Sequence, residues 1–222
     1  MPRRKPLVTP AQQRRSQDTH DNIVEAFRAL LGTEDFDDIS VAQIAKRAGS
    51  SVGGVYARFA SKEALLLPVI DEILGESTSA LDGSLDAIPD DAPLAAVISG
   101  YVGPMIAMFR RHRTVLLQLM RAARGETARA VTERLHVFNM HAHQRFRALA
   151  WKHRGEITHP NPRAAIEFAL FLGSAAGRES VLGANWRSYE IQPDDEHVAR
   201  ELTAAMVGYL TAPPPKTYRR KR

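Results

Sequence analysis

The chain has 222 residues, 44% of them hydrophobic and 25% charged, with 30 lysines and arginines, 25 aspartates and glutamates, and no cysteine. That composition excludes an extended disordered chain, and the missing thiol excludes a disulfide scaffold, thiolate zinc sites, iron–sulfur clusters and a cysteine nucleophile. The longest nearly apolar run, Phe168 to Gly177, falls far short of the roughly 20 residues that cross a bilayer, so no membrane partner is expected. No apolar stretch follows the basic N-terminus, so no secretory signal is expected and a cytoplasmic, nucleoid-associated location is.

The formal charge of +5 is unevenly laid out. Residues 1–15 carry Arg3, Arg4, Lys5, Arg14 and Arg15 and no acid, and residues 216–222 carry Lys216, Arg219, Arg220, Lys221 and Arg222 and no acid. Residues 16–215 are left with 20 basic and 25 acidic side chains, a net −5. Two basic tails therefore flank an acidic body, and basic tails suit polyanions. Residues 1–15 read as a basic N-terminal arm, and residues 213–222 as a solvated basic tail.

Helical periodicity runs through nearly the whole chain, with no period-2 strand and no internal repeat. A first helix carries Ile23, Phe27, Leu30 and Leu31 on one face and ends at Gly32; Thr9-Pro10-Ala11-Gln12 offers it a cap, an N1 proline and a capping-box glutamine. A second helix starts from Ser40, whose capping-box partner is Gln43, with Ile39 and Ile44 as a hydrophobic staple; it stops at Gly49. A third runs from Ser50 or Ser51 to about Phe59, and a fourth begins at Ser61, with Pro68 marking a kink or a late start. Beyond the turn-rich stretch 87–93, helices are expected over 94–113 with a kink at Pro104, 114–124, 126–154, from Pro162 to about Gly183, and 194–210. The fold class is all-α with about nine helices: a three-helix domain over 16–62 and a larger one over 63–212.

Residues 40–59 read helix, tight glycine turn, helix. In a helix-turn-helix the second helix enters the DNA major groove while the first crosses the backbone. Ser40 and Ser51 offer hydroxyls at helix starts to phosphates, and Gln43, Lys46, Arg47, Arg58 and Lys62 extend the polar set. Gly53 and Gly54 weaken a helix by roughly 1 kcal/mol each relative to alanine, a cost that close approach to DNA would explain.

The stretch from Phe36 to Leu65 resembles the DNA-binding domain of the TetR family of bacterial transcription regulators. Ser40-Val41, Ile44-Ala45, Ala48-Gly49, Ser51, Gly53, Tyr56, Phe59, Lys62-Glu63 and Leu65 carry the likeness, which extends over about residues 16–66. The resemblance implies a homodimer that binds a palindromic double-stranded DNA operator and releases it when a small molecule enters the C-terminal domain. By position it implies a phosphate contact for Ser40, a groove-facing run Ser51, Val52, Gly53 and Gly54, a backbone or base contact for Tyr56, and a phosphate contact for Lys62. Arg58 stands where the family often has histidine or tyrosine. Val52 is apolar and suited to a thymine methyl. Arg14 and Arg15 would lie on the first turns of the helix beside the head, ready for phosphate or minor-groove contacts.

In the larger domain Tyr101, Met105, Met108, Phe109, Met120 and Phe138 are the candidate lining of a cavity for an apolar or amphipathic ligand. Ala165, Ala169, Gly173 and Ala176, with Val198, Leu202 and Met206 of the last helix, are the candidate dimer interface, because small residues permit close helix approach. Gly49-Ser50-Ser51-Val52-Gly53 matches the hydrolase nucleophile elbow, which requires a preceding strand; a helix precedes it here, so no enzyme is expected. His136, Met140 and His143 share a helix face without a metal-binding motif, so no metal or cofactor is expected. The expected function is a ligand-responsive repressor. The alternative is a dimeric small-molecule-binding protein that contacts no operator.

Overall fold

A computed structural model describes residues 10–183 and 194–213; the basic stretches 1–9 and 214–222 lie outside the described residues. Nine α-helices and two 3₁₀ turns, and no strand, occur among the described residues. The helices are α1 (Pro10–Leu31), α2 (Val41–Arg47), α3 (Val52–Tyr56), α4 (Leu66–Asp86), α5 (Leu94–Arg111), α6 (Arg113–Ala122), α7 (Gly125–Lys152), α8 (Pro162–Leu182) and α9 (Asp195–Thr211). The 3₁₀ turns are Phe36–Asp38 and Glu63–Leu65.

The described residues form two compact units, one of residues 10–72 with 114–133 and one of residues 73–113 with 134–183 and 194–213. The unit that holds the head thus takes in most of α6 and the start of α7, beyond the expected 16–62. Its core is apolar: Ile23, Phe27, Leu31, Ile39, Ile44 and Leu65 are fully buried, and Leu116 and Leu119 of α6 are buried as well. Phe27 and Phe36 meet edge to face, with ring centroids 6.2 Å apart. The fourth helix begins later than Ser61, because Glu63–Leu65 tightens into a 3₁₀ turn first. Pro68 then falls at the third α-helical position, where a missing N–H costs nothing, since first-turn amides have no intrahelical acceptor.

In the second unit α5, α8 and α9 pack on one another, and Val97, Ile98, Val102, Phe146, Ala165, Ala169, Met206 and Leu210 fill the core. Asn161 caps α8 by accepting from the Ala164 N–H at 3.1 Å, ahead of Pro162 at N1. α5 continues as one helix through Pro104.

This packing corrects the expected dimer interface. Ala165 and Ala169 have no exposed surface within the single chain, Gly173 is buried, and Val198 and Met206 are buried too. The smallness of the α8 residues serves internal neighbours. A Cβ on Gly173 would lie 2.7 Å from Met206 Sδ of α9, and one on Gly177 would lie 2.4 Å from Met105 Cε of α5. Only Ala176 and Leu202 of the expected set keep partial exposure. The outward face of α8 carries Phe168, 48% exposed, and Phe171, 66% exposed. On α9 the exposed positions include Glu201, Ala204, Ala205 and Gly208.

Candidate nucleic-acid interface

Local chemistry sets the helix pair. Ser40 and Gln43 form a complete capping box: the Gln43 N–H donates to Ser40 Oγ at 3.2 Å, and the Ser40 N–H donates to Gln43 Oε1 at 2.7 Å. Two free amides at the start of α2 are thereby satisfied. The other end of α2 closes in a Schellman motif: Ser50 N–H donates to Ala45 O at 2.9 Å and Gly49 N–H to Lys46 O at 3.3 Å. Gly49 adopts φ +64° there, the left-handed conformation that glycine takes without penalty. Ser51 then caps α3, accepting from the Gly54 N–H at 3.0 Å.

Ile44 and Ala45 of α2, Val55 of α3 and Phe59 are buried beneath this pair. The opposite side is left exposed: Ser51 and Gly53, with Val52 at 43% and Tyr56 at 53% relative exposure. Arg14, Ser40, Lys46 and Arg47 are also exposed, and nothing is described for the Arg15 side chain.

Three expected contact residues are engaged within the protein. Gln43 adds to its cap a hydrogen bond from Nε2 to Glu34, at 3.2 Å. Arg58 Nη1 donates to the Gly54 carbonyl at 3.1 Å and Nη2 to Ser16 Oγ at 3.4 Å, tying α3 to α1. Lys62 departs furthest from expectation. Its ammonium donates to Phe36 O at 2.6 Å and Ile39 O at 2.8 Å, and lies 4.2 Å from the Phe36 ring centroid. It closes the turn that precedes α2, where a phosphate contact was expected.

Sequence reasoning missed Gln118 of α6. Its side chain accepts from the Phe36 N–H at 3.3 Å and donates to the Asp35 carboxylate. Its only signal was a polar residue within an otherwise apolar stretch.

The expected ligand residues do not converge as one set. Tyr101 is buried, and Met105, Met108, Phe109 and Phe138 are half-buried in the second unit. Met120 belongs to the first unit and is 59% exposed, so it is removed from the set. A polar centre the sequence did not announce sits among them. The Tyr101 hydroxyl lies 3.0 Å from Ser174 Oγ, and His143 Nε2 lies 3.3 Å from the same oxygen. Burial pushes the Tyr101 phenol above its ordinary value. Burial, aided by Arg147, holds the His143 imidazole below its own. His141 contacts both Asp82 carboxylate oxygens at 3.0 Å, and no group of three metal-binding side chains occurs among the described residues. No helix among the described residues is long and apolar enough to cross a membrane.

Comparison with known proteins agrees with the helix pair. The profile of bacterial regulatory proteins of the tetR family matches residues 23–69. The HTH-type transcriptional regulator EthR of Mycolicibacterium smegmatis is 35% identical over 96 residues, which cover 41% of this chain and only 44% of that relative. Two solved structures share the fold. FadR of Bacillus subtilis in complex with stearoyl-CoA gives a TM-score of 0.65 at 16% identity, covering 86% of this chain and 98% of that one. NalD of Pseudomonas aeruginosa, the secondary repressor of the MexAB-OprM multidrug efflux pump, gives 0.60 at 22% identity, covering 90% and 98%. With a capped, exposed α3 seated on a buried three-helix core, residues 23–69 match the DNA-binding head of the tetR family of bacterial regulatory proteins, and the chain spans under half the length of the curated relative it matches.

Proposed function

We propose that the chain is a homodimeric, ligand-responsive repressor that places α3 in the major groove of a palindromic operator, in the cytoplasm and without catalysis. The observation that carries this reading is α3 itself, five residues long, presenting Ser51, Val52, Gly53 and Tyr56 outward from a buried scaffold. The head covers 16–62, and ligand binding and dimerisation lie within 63–212. Among the described side chains, the exposed Lys46, Arg47 and Arg14 meet phosphates, while Gln43, Arg58 and Lys62 hold the groove-facing helix in place.

The outward faces of α8 and α9 form the dimer contact. Phe168 and Phe171 supply apolar area, and Ala204, Ala205 and Gly208 recur at helical spacing on α9 and let a partner helix approach closely. A small amphipathic ligand fits the second unit, where Phe146 packs on Tyr101, and Met105 and Phe109 pack against the same core that carries the Tyr101–Ser174–His143 centre. Ligand and operator then oppose each other through linkage, each lowering the other's affinity by one common factor. Gel shifts with the DNA upstream of the gene test the reading: a palindromic duplex is retained, and the Tyr56→Ala, Arg47→Ala variant is not. Wild-type protein that binds no such duplex at low salt refutes it.

A further inference from the structure

The second unit carries a groove of about 390 Å³ between the last turns of α7 and the first turns of α8. None of the residues expected to hold a ligand lines it. Ala148, Trp151 and Ile166 are the apolar part of its lining. The volume lies within the range of small-molecule sites.

The charges in the groove do not balance. Arg147 and Glu167 form a forked pair, with Nη2 to Oε2 at 2.8 Å, and those hydrogen bonds hold the Glu167 carboxyl below its ordinary value. That pair is self-neutralising. Arg163 is not: its guanidinium lies 5.0 Å from the Trp151 ring centroid and has no carboxylate within ion-pair distance among the described residues. Arg154 stands over the same ring at 5.4 Å. Two guanidiniums thus lie near one indole, and Arg163 lies in the first turn of a 21-residue helix, where the backbone dipole favours an anion.

We propose that this groove binds a carboxylate with a short apolar body. The carboxylate docks on the Arg163 fork, a planar match for two parallel hydrogen bonds. The apolar body lies along Trp151, Ala148 and Ile166, and Glu167 repels the charged end from the opposite side. The groove adjoins the Tyr101 centre through Arg147 and Glu167, which act on His143, but it is lined by other residues, and its test does not depend on operator binding.

The chain has two tryptophans, so Trp186→Phe leaves Trp151 as the reporter. Octanoate titrated into this variant saturably changes its fluorescence, while octanol, of equal length and no charge, binds roughly tenfold or more weakly. Arg163→Gln weakens octanoate by a similar factor with an unchanged circular-dichroism melt. Equilibrium dialysis of labelled octanoate against the wild-type chain and the Arg163→Gln variant, the difference being the binding at this groove, reads the site without the reporter substitution. Absence of saturable binding at millimolar octanoate, equal binding of octanol, or an unaffected Arg163→Gln variant each overturns the proposal.

Discussion

Lys62 separates two explanations that its position alone leaves together. A lysine at the start of the fourth helical segment can neutralise a phosphate or hold the head in shape. Here its Nζ donates to Phe36 O at 2.6 Å and Ile39 O at 2.8 Å. A hydrogen bond from a charged donor contributes about 1.5–3 kcal/mol. Lys62 is half-buried, so the low end applies to each bond, and its approach to the Phe36 ring at 4.2 Å adds about 0.5 kcal/mol. After the side-chain entropy of about 1–2 kcal/mol released on truncation, Lys62→Ala should lose about 2 kcal/mol of stability. For a chain of this size that lowers the melting temperature by about 4–8 °C. The discriminating assay is the salt dependence of operator binding. Each phosphate neutralised contributes about 0.9 to the slope of log K against log salt, so two lost contacts in a dimer would flatten it by about 1.8. The geometry predicts a lower melting point with the slope unchanged. A slope flattened by that amount, with melting unaltered, would show that the ammonium sits on phosphate and that the carbonyl contacts are dispensable.

Gly53→Ala is predicted to stabilise α3 by up to about 1 kcal/mol while weakening operator binding, because the new methyl meets only Ser51 Oγ at 3.9 Å in the protein but faces the groove; a raised melting point with intact gel shifts would remove the close-approach argument. Phe171→Glu should yield a folded monomer by light scattering, whereas Gly173→Arg, at a buried position, should unfold the second unit; a folded monomer from Gly173→Arg would restore the interface first read from small residues. His143, held below its ordinary 6.5, is neutral when folded. The unfolded chain therefore binds the extra proton first, so stability is full above pH 6.5 and falls as pH drops from there through the depressed value. Calorimetry between pH 7.5 and 5 should show this decline reduced in His143→Gln, and an identical decline would discharge His143. Gln118→Leu should leave DNA affinity nearly intact but reduce the factor by which ligand lowers it; an unchanged factor would exclude Gln118 from the coupling.

What could be read from the sequence is what depends on near neighbours in the chain. The Ser40–Gln43 capping box, the glycine at position 49 and the Asn161-Pro162 start of α8 are fixed within five residues, and each appears where the pattern places it. What pattern reading left out shares a cause of the opposite kind. Lys62 finds its acceptors 26 and 23 residues away, so its motif position could not reveal its partners. The α8 glycines showed that something must come close, without showing what; the visitors are Met206 and Met105 of the same chain. The start of α4 was misplaced because Ser61 is a plausible cap and caps Ala64, at 3.3 Å, yet what it opens is a 3₁₀ turn.

The contacts of Lys62 and Gln118, both missed by pattern, converge on one residue. Phe36 gives its N–H to Gln118 of α6 and its carbonyl to Lys62, which leads into α4, and sets its ring edge-on to Phe27 of α1. Four residues on, Ser40 opens α2. Any displacement of α6 must therefore break the Gln118 contacts or carry the 35–39 turn with it, and moving that turn shifts the cap of α2 while straining the Lys62 bridge. A turn held from three sides at once has few intermediate positions, which is the property a two-state element needs if ligand and operator are each to favour one arrangement. The +5 of the chain is unevenly placed: its excess cations lie in the flanking stretches, Arg14 among them, while Gln43, Arg58 and Lys62 are held by contacts within the head, so that among its described basic residues Lys46 and Arg47 stand exposed beside α3.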